Sequence, residues 1–158
     1  MRTGIGYDSH RLGPGRPLIL GGIQVPFEKG LQGYSDADVL IHAIVDALLG
    51  AAALGDIGTH FPDSDERYRD CSSRYFLETV KGMVQAGGYK IVNVDAVIIA
   101  EAPKLAPYFP LMKKELSDAL QLKEEYISLK AKTNEGMGWL GRGEGIAAMA
   151  VALLEESR

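Results

Sequence analysis

Residues 34–56, YSDADVLIHAIVDALLGAAALGD, decide the fold that we predict for this chain. Apolar residues occupy nearly every side of a helix drawn through this stretch, which indicates a helix buried by its neighbours. Ser35 stands at the expected N-cap, and Asp38 three residues later completes the pattern of a capping box. A buried helix must pack against a sheet or against other helices, and the flanking segments supply both.

The flanking segments alternate between strand and helix patterns. In chain order they predict a strand at 2–10, two short strands within 17–27 joined at Gly21-Gly22, a helix at 72–88, a strand at 89–101, a helix after Pro107, a strand at 126–133 and a closing helix at 143–157. This order predicts an α/β fold: a single two-layer domain over residues 1–158, with a mixed four-stranded sheet packed on helices, plus a small hairpin.

Composition narrows the class of protein. The 158 residues carry a formal charge of −4, with 46% hydrophobic and 24% charged residues, which is ordinary for a globular domain. This mild acidity argues against a nucleic-acid partner, which would require a basic surface. The single cysteine, Cys71, cannot form an internal disulfide, and no apolar run approaches the roughly 18 residues of a membrane span. With no leader pattern before the first strand, we expect a cytoplasmic protein that does not bind membranes.

Three residues suggest a metal site. Asp8 and His10 are two positions apart in a predicted strand, so their side chains point to the same face. His42 lies in the buried helix on a polar stripe with Asp38 and Asp46, spaced by four residues. An Asp-His-His set would leave one tetrahedral position of a zinc ion open, and Asp46 could orient the imidazole of His42. The residues alone leave a second interpretation open, in which His42 is an ordinary buried histidine and the strand end is solvated.

Five glycines fall within residues 136–145, GMGWLGRGEG. Gly136, Gly138 and Gly141 match the pattern GxGxxG, which is typical of dinucleotide-binding turns. We reject that interpretation because only one further element follows, with no room for a βαβ unit and its distal acidic residue. His60, in the polar loop at 55–70, is expected to be an ordinary surface residue.

The segment before these glycines carries cations and a hydroxyl. Lys130, Lys132 and Thr133 beside a flexible turn suggest a phosphate cradle. Glu135 adds a carboxylate, which beside phosphates suggests a Mg²⁺ site. The residues alone leave open that the lysines form a solvated strand face and that the glycines form only a tight turn.

Five blocks of sequence resemble the 2-C-methyl-D-erythritol 2,4-cyclodiphosphate synthase family. They are GIGYDSHRL, LILGGIQVP, GYSDADVLIHAIVDALLGAAALGDIGTHFPDSD, AEAPKLAP and KAKTNEGMGWLGRGEGIAAMAVALL. The resemblance extends from about Arg2 to Leu154. It implies an enzyme of the non-mevalonate route to isoprenoid precursors, a phosphorus–oxygen lyase that cyclises 4-diphosphocytidyl-2-C-methyl-D-erythritol 2-phosphate and releases CMP. It also implies a homotrimer with active sites between subunits.

The resemblance implies roles for individual residues. Asp8, His10 and His42 would bind zinc, Glu135 would bind Mg²⁺ or Mn²⁺, and Thr133 would be catalytic. The implied substrate-binding residues are Asp8, His10, Tyr34, Ser35, Asp56, Ile57, Gly58, Phe61, Pro62, Asp63, Ser64, Asp65, Ala100, Pro103, Lys104, Leu105, Ala106, Ala131, Lys132, Thr133, Asn134, Glu135, Trp139 and Arg142.

Tyr34 departs from the family pattern, which usually has a histidine that helps to stabilise the transferring phosphate. A phenol donates one hydrogen bond and stays uncharged at neutral pH, so we expect Tyr34 to change the rate more than the reaction. Without the resemblance, two other functions stay open. One is a zinc phosphohydrolase that activates water, and the other is a non-catalytic module in which the metal pins a strand to a helix.

Overall fold

The computed structural model describes residues 1–157. Its strands are β1 (Arg2–Gly13), β2 (Leu18–Leu20), β3 (Ile23–Val25), β4 (Gly30–Leu31), β5 (Tyr89–Ile99), β6 (Ile127–Lys132) and β7 (Gly145–Glu156). Its α-helices are α1 (Val39–Ala52), α2 (Ile57–His60), α3 (Ser73–Ala86), α4 (Phe109–Leu120) and α5 (Gly138–Gly141). Within residues 1–157, no helix combines the length and the apolar character needed to cross a membrane.

Five strands form one mixed sheet in the order β4-β1-β7-β5-β6. The pair β5–β6 is parallel and the other neighbouring pairs are antiparallel. Strands β2 and β3 form a separate hairpin that turns at Gly21 and Gly22, both with positive φ, as their sequence predicts. Helices α1, α3 and α4 contact the sheet. The predicted α/β class, mixed sheet and hairpin are therefore confirmed, but the sheet has five strands, so the predicted count of four is wrong.

The closing helix predicted at 143–157 is wrong, because this segment forms β7 in the middle of the sheet. It pairs with β1 on one side and with β5 on the other. The outward side chains of Met149 and Val151 are apolar, so the two-residue alternation is hidden, and its alanines and leucines favour a helix locally. Pairing along both edges overrides that preference. The buried positions are Gly145, Ile146, Ala147, Ala148, Ala150, Ala152 and Leu154.

The helix predicted at 34–56 begins later than its sequence pattern suggests. Its N-cap is Asp38, whose Oδ1 accepts a hydrogen bond of 3.0 Å from the N–H of Ile41. The predicted N-cap at Ser35 is wrong, because the chain turns at Ala37 with a φ of 59° before the helix starts. Eleven of the fourteen residues of α1 are buried, which confirms a central buried helix.

Asp38 also ties the hairpin to the start of α1. Its two carboxylate oxygens accept hydrogen bonds from the N–H groups of Gly21, at 3.0 Å, and Gly22, at 2.7 Å. Burial and the nearby charge of Asp36 raise the pKa of Asp38 to about 6, although its backbone donors oppose the shift. The carboxylate is therefore a structural link between two elements rather than part of a polar stripe on the helix.

Two glycines of β1 let α1 lie directly on the strand. A Cβ added to Gly4 or Gly6 would lie 2.0 or 1.9 Å, respectively, from a carbonyl oxygen of α1, closer than any real contact. The next two positions of β1 on this face are Asp8 and His10. The close approach of strand and helix thus brings both side chains to His42.

The polar segment 55–70 is more ordered than a simple loop. It contains α2 and a 3₁₀ turn at Glu66–Tyr68. His60 is partly exposed, and its Nε2 lies 2.7 Å from the carbonyl oxygen of Leu54. This contact fits the expected role of an ordinary surface residue.

Candidate active site

Asp8, His10 and His42 point at one another where β1 meets α1. Asp8 Oδ2 lies 2.9 Å from His10 Nε2 and 3.0 Å from His42 Nδ1, and the two ring nitrogens are 3.3 Å apart. The ligand atoms of a tetrahedral zinc ion with bonds near 2.0 Å lie about 3.3 Å apart. The three atoms therefore form one face of a tetrahedral site, and this donor set fits zinc with a fourth position for water or substrate.

The outer nitrogen of His10 supports the same geometry. Its Nδ1 lies 2.9 Å from the backbone carbonyl oxygen of Gln32. A carbonyl only accepts hydrogen bonds, so Nδ1 carries a proton, and Nε2 is the nitrogen whose lone pair can bind a metal at the centre. Metal-binding histidines are commonly held by such an outer hydrogen bond.

The carboxylate of Asp8 is stabilised in its charged form. Burial alone would raise its pKa, but the hydrogen bonds and charges of His10 and His42 lower it to about 2. Burial acts to lower the pKa of His10, yet the contacts with Asp8 and Gln32 raise it overall. The protein thus places a negative charge between two imidazoles, as a cation site requires.

Asp46 does not orient His42, so that prediction is wrong. Its Oδ1 instead accepts a hydrogen bond of 2.8 Å from the N–H of Ile57. The outer Nε2 of His42 lies 2.8 Å from Ser73 Oγ and 3.3 Å from Ser35 Oγ. Helical spacing places Asp46 on the same stripe as His42, but the carboxylate of Asp46 binds the first backbone N–H of α2 instead.

The three candidate ligands border a cavity of ≈ 380 Å³. Seven of the residues implied to bind substrate line it with them: Tyr34, Ser35, Ile57, Gly58, Phe61, Pro62 and Asp63. Tyr68 and Phe76 complete the wall. The lining of this cavity therefore combines charged and polar groups with aromatic rings.

A second cavity of ≈ 350 Å³ lies where β5 and β6 end. It is lined by eight of the residues implied to bind substrate: Ala100, Pro103, Lys104, Leu105, Ala106, Ala131, Lys132 and Thr133. Glu101 and Pro107 complete its wall. The structure thus groups these two short segments of sequence, about 30 residues apart, around one space.

The two cavities lie at the same edge of the sheet. Strands β1 and β5 both pair antiparallel with β7, so they run in the same direction, and β6 runs parallel to β5. Ser9, Ala147, Ile99 and Lys132 form one row across the four strands. Neighbouring strands are about 4.8 Å apart, so three steps separate β1 from β6 by about 14 Å.

A family model described as the YgbB family matches residues 1–155 of this chain. The chain belongs to the YgbB family. Its resemblance to cyclodiphosphate synthases extends over essentially the whole length, as the following relatives show.

Named relatives of this family member share its full length. The chain is 57% identical to the 2-C-methyl-D-erythritol 2,4-cyclodiphosphate synthase of Alkaliphilus metalliredigens over 157 residues, 99% of each chain. It is 54% identical to that of Methylobacillus flagellatus, over 99% of this chain and 98% of the relative. A solved 2C-methyl-D-erythritol-2,4-cyclodiphosphate synthase in its CDP-bound form matches with a TM-score of 0.90 and 41% identity, over 98% and 100% of the two chains. The predicted family and the expectation of an enzyme are confirmed.

Tyr34, the departure from the pattern expected of the YgbB family member, lies on the wall of the first cavity. Its hydroxyl donates a hydrogen bond of 3.3 Å to the carbonyl oxygen of Asp65. The guanidinium of Arg69 lies 5.5 Å from the centre of its ring. Arg16 donates to the carbonyl oxygens on either side of Tyr34, those of Gly33 and Ser35, and so fixes this turn.

Seven of the residues implied to bind substrate line neither of these two cavities, and three of the seven lie in the segment 55–70. Asp56 caps α2 by accepting a hydrogen bond of 2.9 Å from the N–H of Thr59, and Ser64 is exposed. The carboxylate of Asp65 pairs with Arg67 at 2.6 Å. Their predicted contacts with substrate stay predictions.

The glycine-rich segment contains the other four, Asn134, Glu135, Trp139 and Arg142, and none of its residues lines the second cavity. Glu101 Oε1 accepts hydrogen bonds from the N–H groups of Asn134, at 3.1 Å, and Gly136, at 3.0 Å, which shapes the turn around Glu135. Trp139 borders a separate cavity of ≈ 240 Å³, and Arg142 pairs with Glu144. The GxGxxG glycines belong to this turn and to α5, without a βαβ unit, as expected.

Lys130 is not part of the second cavity. Its ammonium binds the carboxylate of Asp95 at 2.6 Å on the exposed face of the sheet. Lys132 and Thr133 do line that cavity, so a phosphate cradle stays a prediction for these two residues, whereas Lys130 lies apart from them.

Sequence reasoning missed several residues of the site. Phe76 and Tyr68 resemble ordinary helix and loop aromatics, and nothing in their spacing marks them. Ser73 lies at the start of the helix predicted at 72–88, where a serine is an ordinary capping residue, so nothing in the sequence marks it for another role. Glu101 carries no signal, because its partners are backbone groups more than thirty residues away.

Proposed function

We propose that this YgbB family member converts 4-diphosphocytidyl-2-C-methyl-D-erythritol 2-phosphate to 2-C-methyl-D-erythritol 2,4-cyclodiphosphate and CMP, in non-mevalonate isoprenoid biosynthesis. The observation that carries the proposal is the convergence of Asp8, His10 and His42 on one point at the wall of a cavity. The names of its relatives supply the substrate. We propose that residues 1–158 act as one domain, in the cytoplasm.

The reaction requires positioning more than acid or base chemistry. The 2-phosphate of the substrate attacks the β-phosphorus of the diphosphate, and the bond from that phosphorus to the oxygen of CMP breaks. CMP leaves with the electron pair. The nucleophile is already anionic, so no side chain has to remove a proton. The protein has to hold mutually repelling phosphates in line.

Zinc held by Asp8, His10 and His42 would supply a positive charge that neutralises a phosphate of the substrate and limits its orientations. Ser35 and Tyr34 lie on the same cavity wall and offer hydroxyl groups to phosphate oxygens. We propose that these groups bind the attacking 2-phosphate.

Lys132 and Thr133 would bind the diphosphate at the second cavity. Their side chains are exposed at the end of β6, where the ammonium and the hydroxyl can both reach phosphate oxygens. Glu135 is exposed in the next turn, and Mg²⁺ or Mn²⁺ is commonly held by one carboxylate together with substrate phosphates. Lys104 and the backbone of residues 100–106 would hold the cytosine end. The hydroxyl of Thr133 would stabilise charge on the transferring phosphate.

The aromatic wall of the first cavity would keep water from the phosphates. Phe61 and Phe76 pack with ring centres 4.6 Å apart, and both are buried. Exclusion of water matters here because hydrolysis would consume the substrate without closing the ring.

The outer face of the sheet supports the proposal of a homotrimer. Ile5 lies opposite Val151, and Tyr7 lies opposite Met149, on the face that α1 does not cover. These four side chains are 39–64% exposed. Adjacent exposed apolar side chains commonly mark a surface that another chain covers. We propose that three copies close into a ring, and that each active site combines the metal centre of one subunit with the second cavity of its neighbour.

The products of the reaction test the proposed activity. The protein is incubated with the cytidyl substrate and Mg²⁺, and phosphorus NMR identifies the products. A cyclic diphosphate with an equal amount of CMP supports the proposal. A linear phosphate would indicate a hydrolase that activates water, and zinc binding without any turnover would indicate a structural metal site.

Mixed trimers test the shared site. The first variant carries His42→Ala, and the second carries Thr133→Ala with Lys104→Ala, so each alone has every site damaged. The two variants are mixed equally by co-expression. A site is then intact when its metal centre comes from the second variant and its second cavity comes from the first. This combination should occur in about a quarter of sites. Activity equal to the mean of the separate variants, despite demonstrated mixed trimers, would refute sharing.

A further inference from the structure

His42 differs from His10 in what holds its outer ring nitrogen. The outer nitrogen of His10 faces a backbone carbonyl, which can only accept a hydrogen bond. Nε2 of His42 faces the hydroxyl of Ser73 at 2.8 Å, and a hydroxyl can either donate or accept. Ser73 by itself therefore does not determine which nitrogen of His42 carries the proton.

Asp36 removes this ambiguity. Its Oδ1 accepts a short hydrogen bond from Ser73 Oγ and another of 3.1 Å from the N–H of Asp38. Its Oδ2 accepts a hydrogen bond of 3.0 Å from the N–H of Ser73. Backbone N–H groups only donate, so they favour a carboxylate that acts as acceptor throughout. Ser73 then gives its one hydroxyl proton to Asp36 and can only accept from His42.

We propose that Asp36 and Ser73 are positioning residues of the metal centre, which keep a proton on Nε2 of His42 and so leave Nδ1 as its ligand atom. Nδ1 is the ring nitrogen that faces Asp8 and His10. The inference rests on the metal centre of the proposed function. It assigns a task to two residues that supply no ligand atom and do not line the cavity.

Burial makes this chain of hydrogen bonds costly to break. Ser73 is fully buried at the first turn of α3, and His42 is also buried. Without the Ser73 hydroxyl, the remaining polar neighbour of Nε2 is Ser35 Oγ at 3.3 Å, which also accepts from the N–H of Ala37. Within residues 1–157, no hydrogen bond to a carboxylate fixes the direction of the Ser35 hydroxyl. The two serines thus make a matched pair for a test.

The test measures the affinity for Zn²⁺ by competition with a chromogenic chelator. Ser73→Ala retains the backbone bond from residue 73 to Asp36 and should bind Zn²⁺ about 10- to 100-fold more weakly, the usual effect of losing such an outer contact. Ser35→Ala should retain nearly the affinity of the wild type. Asp36→Asn should also weaken binding, because either orientation of its amide places one donor against another. Thermal unfolding of each metal-free variant verifies that the fold is retained.

Nitrogen NMR of the three histidine rings shows which ring nitrogen carries the proton. Residues that only stabilised the fold would not affect this position. In the zinc-loaded wild type, Nε2 of His42 should carry a proton that exchanges slowly with water, and the exchange should become faster in Ser73→Ala. A proton on Nδ1 in the wild type would overturn the inference. So would equal affinities of the two serine variants, or an unchanged affinity of Asp36→Asn. A wild type that binds no Zn²⁺ would instead overturn the metal centre, and this inference with it.

Discussion

The side chains of Asp8, His10 and His42 are 26%, 20% and 10% exposed and contact one another within the chain. Those of Lys132, Thr133 and Glu135 are exposed at the end of a strand and in the turn that follows. The first group is placed by core packing, because α1 lies directly on β1. The second is placed by a backbone turn held by Glu101. A cation site must be assembled before a metal can bind, whereas groups that bind a flexible diphosphate can adjust to it.

Of the changes that test this comparison, replacement of a metal ligand should have the largest effect on zinc content and turnover. His42→Ala removes one of three ligands and leaves Asp8 and His10 without their partner, so we expect loss of most bound zinc and of nearly all turnover. Metal analysis and steady-state kinetics check this. His60→Ala, which changes a surface histidine, serves as control and should retain both. Full zinc retention by His42→Ala would contradict the assignment.

A change in the packing beneath the ligands should have the next largest effect. Gly6→Ala would place a Cβ 1.9 Å from the carbonyl oxygen of Ala43, so α1 must shift away from β1. We expect a loss of about 3 kcal/mol in the free energy of unfolding, together with weaker zinc binding. Denaturant titration measures the first quantity.

The matched control for that change is Gly82→Ala. Gly82 lies in α3, and an added Cβ would meet no atom within 4 Å. Alanine is the better helix former, so this variant should be more stable by about 0.5–1 kcal/mol. If Gly6→Ala were equally harmless, the close approach of helix and strand would not be what positions the ligands.

Single substitutions in the exposed group of Lys132, Thr133 and Glu135 should lower turnover and leave the free energy of unfolding nearly unchanged. Thr133→Ala removes one donor to the transferring phosphate and should lower kcat by about 100-fold. Its unfolding free energy and zinc content should stay near those of the wild type. Thr133→Ser retains the hydroxyl and should recover much of the rate, whereas equal rates for both variants would mean that the hydroxyl is idle.

Tyr34 should give the smallest effect, because its hydroxyl is one of several donors on the cavity wall. Tyr34→Phe should lower kcat several-fold, since one such donor contributes at most a few kcal/mol. Tyr34→His should retain or raise the activity, because an imidazole can carry a charge as well as donate. Unchanged kinetics of the Phe variant would show that the hydroxyl only binds the carbonyl of Asp65.

The same contrast explains how much could be predicted from sequence. The Asp8-x-His10 pair and the buried His42 were predictable, because strand and helix periodicities place side chains on known faces. The strand β7 was not, since its outward residues are apolar and its alanines favour a helix when pairing partners are unknown. Asp46 shows the limit of periodicity. Its position on the helix was predicted correctly. Its partner, the N–H of Ile57, is brought to it by the short helix α2, which no local sequence pattern predicted.

Asp38 has a consequence for the slow motions of the chain. Its carboxylate holds the amides of Gly21, Gly22 and Ile41, so a hairpin outside the main sheet and the first turn of the central helix share one acceptor. None of these amides can lose its partner through a movement of Asp38 without the other two being affected. Their exchange with deuterated solvent should therefore follow a common opening event, so that hairpin and helix start behave as a single cooperative unit.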